Sequence, residues 1–89
     1  MARATKKAPI VLRDKIRLSP WPNKCGFDVT DTNPSRRCTA EVMNCLSAGW
    51  SVRIDKGGKV WKYMKGIKTE TAEAAYEYCH QFGGPGRAD

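Results

Sequence analysis

Four cysteines (Cys25, Cys38, Cys45 and Cys79) and a single histidine, His80, are the residues of this chain suited to thiol or metal chemistry. A structural zinc site usually shows itself as closely spaced cysteine pairs of the CxxC kind, and no two of these cysteines stand that close. Cys38 and Cys45 fit one stripe of a helix and Cys79 fits another, where free cysteine behaves as a small buried hydrophobe. Four reduced core thiols are the preferred reading, and a disulfide or a zinc site are the alternatives. Cys79 and His80 are sequence neighbours, so on a helix their side chains point about 100° apart and make no dyad. There is no P-loop, no GxGxxG and no group of carboxylates around a nucleophile. The run 83–87 follows a helical pattern instead of opening one, which removes it as a phosphate loop. The expectation is a protein without catalysis, cofactor or metal.

Charge is the second chemical resource. The 89 residues carry a net +7 with pI near 9.5, a balance that favours polyanionic partners. Residues 1–17 hold six Lys/Arg against one Asp, and residues 50–68 again hold six against one. Residues 18–49 are balanced, and the last stretch is acidic. The cations therefore gather in an N-terminal arm and in the segment around Gly57-Gly58. No apolar run approaches the roughly 20 residues of a membrane helix, and the basic start has no continuous apolar core of a secretory signal. A cytoplasmic protein that does not engage membranes is expected.

The basic segment WSVRIDKGGKVWKYMKG (50–66) reads as a β-hairpin. Two adjacent glycines suit a primed two-residue turn, which needs positive φ. That turn pairs Ile54 with Trp61, Arg53 with Lys62 and Val52 with Tyr63. Trp50, Val52, Ile54, Trp61 and Tyr63 would then share an apolar face, and Ser51, Arg53, Lys62 and Met64 the opposite one. An amphipathic helix over 69–82 follows, with Thr69 as N-cap and Glu70 and Glu73 in its first turn. Its apolar stripe is Ala72, Ala75, Tyr76, Cys79 and Phe82, and Gly83-Gly84-Pro85 ends it.

Trp50, Arg53, Ile54, Gly58-Lys59, Gly66, Thr69, Ala74-Ala75 and Tyr76 resemble the motif of AP2-like DNA-binding modules of plant transcription factors, phage integrases and homing endonucleases. The likeness covers about a third of the chain. It implies a sheet that reads the DNA major groove with a helix behind it. Residues 41–54 are also similar to HicA-type toxin ribonucleases of dsRBD-like fold. Lys59 and Val60 stand where that family's catalytic histidine would be, so no RNA cleavage is implied. In outline residues 50–65 also resemble the wing of a winged helix.

Elsewhere, residues 1–9 read as a disordered basic arm and 85–89 as a flexible tail, leaving one domain over 10–84. Residues 10–18 suit a strand or a short helix equally. Two prolines make 19–23 irregular, with Trp21 as a lid on the core edge. Residues 26–31 alternate as a strand, and 37–48 read as a helix with Cys38, Val42, Cys45 and Leu46 inward. Arg36-Arg37 would sit badly at the start of that helix, which suggests a later start or a task that needs positive charge.

The fold expected is α+β: a three-stranded antiparallel sheet (26–31, 50–55, 59–65) with two helices packed on one face. The function expected is nucleic-acid binding, DNA before RNA, through the open sheet face. Arg53, Lys62 and Ser51 would lie in the middle, Lys56, Lys59 and Lys65 on the rim, and Arg3, Lys6 and Lys7 in the arm. The size and type suit a phage or mobile-element accessory protein. The alternative is a small phage-type inhibitor that covers a host nuclease, CRISPR effector or polymerase through its charged faces.

Overall fold

Period-two alternation governs far more of this chain than helical spacing does. The computed structural model describes residues 10–13 and 15–85, with the backbone alone for 10–13 and Pro85. Seven strands form one antiparallel meander in which every strand lies beside its sequence neighbours. They are β1 (Ile10–Arg13), β2 (Ile16–Pro20), β3 (Gly26–Asp31), β4 (Cys38–Asn44), β5 (Trp50–Lys56), β6 (Lys59–Ile67) and the two-residue β7 (Gly84–Pro85). The five from β2 to β6 make the body of the sheet. A single helix of the described residues that exceeds one turn, α1 (Ala72–Phe82), packs across β4, β5 and β6.

The three-stranded sheet with two helices is thereby corrected. Residues 37–48 are not a helix: β4 buries Cys38, Ala40 and Val42 and exposes Thr39, Glu41 and Met43. Cys38 and Val42 satisfy both periods, and it was Cys45 and Leu46 that completed a helical stripe. Those two instead enter a single 3-10 turn (Leu46–Ala48), where Leu46 is 83% exposed. Short apolar runs fit either period until a neighbour decides. Here β3 and β5 supply hydrogen-bonding partners on both sides of β4. Residues 10–18 resolve into two strands around a turn at Lys15, whose φ is 69°. Helix α1 begins at Ala72 instead of Thr69. Its cap is Thr71, whose hydroxyl accepts from the Ala74 amide at 3.1 Å. The arm 1–9 lies outside the described residues, as do residues 86–89 of the tail, while Pro85 pairs with Lys62.

The hairpin turn is as expected: Gly57 and Gly58 have φ of 64° and 82°, and Lys56 opposes Lys59. Beyond it the register differs. Asp55 faces Val60, but Ile54 faces Lys62, so Trp61 is the extra residue of a β-bulge. One inserted residue moves the side chains after it to the opposite face, until a second irregularity between Met64 and Ile67 returns Ile67 to the core. Lys62 and Met64 turn inward opposite Ile54 and Val52, and Tyr63 turns outward opposite Arg53. The bulge lets Trp61 pack against the core. Lys62 then reaches over the Trp61 ring, 4.6 Å from its centroid, and its ammonium donates to the His80 carbonyl.

The inner face carries Ile16, Leu18, Val29, Ala40, Val42, Val52, Ile54 and Ile67 against Ala72, Ala75, Tyr76 and Cys79 of the helix. Burying each large aliphatic side chain contributes about 1.5–3 kcal/mol. One charge lies among them. The Asp31 side chain is wholly buried, and it accepts from Arg36 Nε at 2.8 Å, the Tyr76 hydroxyl at 2.8 Å and the Asn33 amide at 3.1 Å. Because the Tyr76 proton goes to Asp31, the Cys38 thiol, 3.2 Å from the same oxygen, is the donor in that contact. Arg36 continues to Glu77 at 3.0 Å. This network ties the β3–β4 connection to the helix. It also shows that Arg36 has an internal electrostatic partner.

The cysteines do not share one environment, which corrects the reading of four core thiols. All four are free; Cys38 and Cys79 are buried, Cys45 is half-buried and Cys25 is exposed. Cys25 sits in the β2–β3 turn, where its amide is held by Asn23 Oδ1 at 2.9 Å. Burial pushes the Cys79 thiol up to about 11 and raises Cys38 as well. A thiol reagent at neutral pH should therefore modify Cys25 at once and Cys45 more slowly. Cys38 and Cys79 should react only as the protein unfolds. Mass spectrometry of labelled peptides checks this, and rapid modification of Cys79 would contradict the packing.

Candidate nucleic-acid interface

The residues expected to make a basic face divide between the two sides of the sheet. Arg53 is on the outer face as predicted, but Glu41 approaches it at 3.6 Å and Asp55 at 3.3 Å. Ser51 is nearby on the same face. Lys62 is on the helix side, so the expected Arg53–Lys62 neighbourhood does not exist. The Trp61 bulge is the reason. Lys56 also turns toward Trp61, 4.6 Å from the ring centroid. Lys59 is exposed beside the turn and Lys65 is exposed farther along β6. Arg3, Lys6 and Lys7 lie outside the described residues.

The middle of the outer face is therefore charge-compensated, with Glu41 and Asp55 against Arg53. Trp21 belongs here too and is not a lid on the core edge. Its indole donates to Asp28 at 2.9 Å, and its ring covers Gly26 closely enough that a Cβ there would meet it at 2.8 Å. Trp21, Met43, Arg53 and Tyr63 line a depression of about 200 Å³.

A different set of cations comes together at the end of the sheet that holds the Gly57-Gly58 turn. Arg17, Thr30, Thr39 and Asp55 form one cross-strand row over β2, β3, β4 and β5. Thr30 and Thr32 join two adjoining depressions. The larger, about 450 Å³, is also lined by Arg37, Thr39, Asp55, Gly57 and Gly58. The smaller, about 330 Å³, is completed by Lys15 and Arg17. Lys15, Arg17 and Arg37 make no ion pair among the described residues, in contrast to Arg36 and Arg53. Nothing stands within 4 Å of where a Cβ would project at Gly57 or Gly58, so a ligand can approach the backbone there.

The chain matches no family model, no curated protein and no solved structure. No helix of the described residues is long and apolar enough to cross a membrane.

Sequence reasoning left Lys15 and Arg17 out of any site, and gave Arg37 only an unassigned task needing positive charge, because it looked for one hairpin. The signal was present in the threonines. Thr30 and Thr39 face each other on adjacent strands and Thr32 follows just past the end of β3, and hydroxyls placed beside cations suit oxyanions. Arg36 and Arg37 lie in the turn before β4, where both amides donate to the Asn33 carbonyl, and their side chains part there. Arg36 turns in to Asp31 and Arg37 turns out to the depression.

Proposed function

We propose that the protein is a non-enzymatic nucleic-acid-binding protein that holds the phosphate backbone at the threonine-rich end of its outer face. The observation that carries this is the grouping of Lys15, Arg17 and Arg37, free of ion pairs among the described residues, around Thr30, Thr32 and Thr39. Cations attract phosphates from a distance, and hydroxyls fix an oxygen once it arrives. Lys59, exposed beside the turn, extends the same field. The charge-compensated Arg53 is a poor phosphate ligand but keeps a guanidinium beside Trp21 and Tyr63, where a base could stack.

Each phosphate neutralised on duplex DNA contributes about 0.9 to the slope of log K against log salt. Changing Lys15, Arg17 and Arg37 together to Gln should weaken binding on every sequence tested and make that slope shallower by about 2–3. Fluorescence anisotropy with duplex and single-stranded DNA and RNA across a salt series measures both quantities. An unchanged slope would move the interaction to another surface. No binding at low salt would favour a protein partner instead.

A further inference from the structure

The inner face holds a constellation of buried groups, two of which, Asp31 and Cys38, also border the larger of the two depressions. Asp31 and Cys38 are direct cross-strand partners, so both side chains rise from neighbouring strands toward α1. Tyr76 and His80, one turn apart on the helix, come down onto them. A carboxylate oxygen of Asp31, Sγ of Cys38 and a ring nitrogen of His80 all lie within 4.8 Å of one another. Asp31 and Cys38 are buried and His80 is half-buried. The Nε2 atom of His80 is itself buried and has no hydrogen-bond partner among the described residues. Buried polar atoms are nearly always satisfied, and those that are not call for an explanation.

We propose that Asp31, Cys38 and His80 form a three-ligand site for one zinc-class divalent ion. A thiolate, an imidazole and a carboxylate make a mixed sulfur, nitrogen and oxygen set. That set suits zinc or cobalt and is wrong for magnesium or calcium, which require oxygen ligands. Tetrahedral bonds of about 2.0–2.3 Å set ligand atoms about 3.3–3.8 Å apart, so any pair at the outer limit of 4.8 Å must close. Rotation of the His80 side chain, on the half-buried side of the site, accommodates that change, and water completes the fourth position. Asp31 can serve because its two oxygens offer about four acceptor positions, of which Arg36, Tyr76 and Asn33 use three. Tyr76 and Arg36 would then orient the carboxylate as outer partners.

Charge balance agrees with this assignment. The Cys38 thiol gives up its proton to solvent on binding, and the resulting thiolate with the Asp31 carboxylate offsets the dication. Arg36 is offset by Glu77. Imidazole binds a metal in its neutral form, through the lone pair of whichever ring nitrogen faces the ion.

The test uses the full chain, stripped with chelator and dialysed, and then titrated with cobalt(II) and zinc(II). One ion per chain is expected, with the charge-transfer band of a cobalt–thiolate bond, tetrahedral d–d bands in the visible and release of one proton. Cys38→Ser should abolish the charge-transfer band. His80→Gln should weaken zinc binding at least about tenfold, a loss that removal of an outer partner alone can bring. Cys25→Ser and Cys45→Ser should change neither, which separates this site from adventitious binding at the accessible thiols. If Cys38→Ser does not fold, His80→Gln with the two control variants carries the test. Stoichiometric binding that His80→Gln leaves intact would overturn the assignment, as would the absence of a cobalt–thiolate band in the parent.

Discussion

Replacing Asp31 with alanine should destabilise the protein by about 3–5 kcal/mol, the range for removing one partner of a buried ion pair. The substitution leaves three donors without their acceptor: Arg36 Nε, the Tyr76 hydroxyl and the Asn33 amide. The carboxylate is wholly buried while the Arg36 side chain is 18% exposed, so water compensates the arginine only in part. Urea unfolding, with chelator present so that no metal contributes, measures the loss. The double variant Asp31→Ala/Arg36→Met should recover a good part of it, because the guanidinium no longer seeks a missing partner. Asp31→Asn should fall between parent and Asp31→Ala, since the amide keeps one acceptor and loses the charge. A loss under about 1 kcal/mol for Asp31→Ala would mean the network is solvated and contributes little to docking the helix.

That network also marks where sequence stops being informative. The final helix was legible because Ala72, Ala75, Tyr76 and Cys79 keep one period and are all buried, although Phe82, expected on the same stripe, is exposed at the helix end. Strand β3 and the turn at Gly57-Gly58 were legible for equally local reasons, alternation in the first and paired glycines in the second. Strand β4 was not, because Cys38 and Val42 are four apart as well as two strand repeats apart. Only pairing with β3 and β5, which is non-local, separates the two readings. The bulge at Trp61 was invisible for a similar reason. Nothing in KVWKYM marks an inserted residue, and the burial of Trp61 against His80 at 5.3 Å depends on where α1 lands. One undetected residue placed Lys62 on the wrong face and so created a basic centre that the fold does not possess. The charged end formed by Lys15, Arg17 and Arg37 requires three separate strand connections to be in place. It could be found only after the meander was known.

Replacing Gly49 with alanine should cost about 3–5 kcal/mol, the sum of two effects that act at the same atom. Gly49 joins the 3-10 turn to β5 with φ 92° and ψ −162°, a region essentially confined to glycine. A Cβ there would stand 2.8 Å from the Ile67 carbonyl oxygen and 2.9 Å from the Gly66 carbonyl carbon. Both obstacles are backbone, so no side-chain rotation relieves them. Ile67 cannot withdraw freely, because it pairs with Trp50 at the start of β5 and is itself in the core. The Gly49 carbonyl also accepts from the Cys45 amide at 2.8 Å, and its own amide donates to Leu46 at 2.9 Å. A change of φ would therefore disturb the turn on one side and the sheet on the other. Gly58→Ala is the matched control. Its φ of 82° is comparably positive, but nothing lies within 4 Å of the added carbon. It should lose only about 1 kcal/mol, the backbone share. Gly58→Val should lose somewhat more, since a β-branched residue resists positive φ further. If urea unfolding gave Gly49→Ala and Gly58→Ala the same loss, the close approach of β6 to Gly49 would be wrong. The entry of β5 into the sheet would then need to be redrawn.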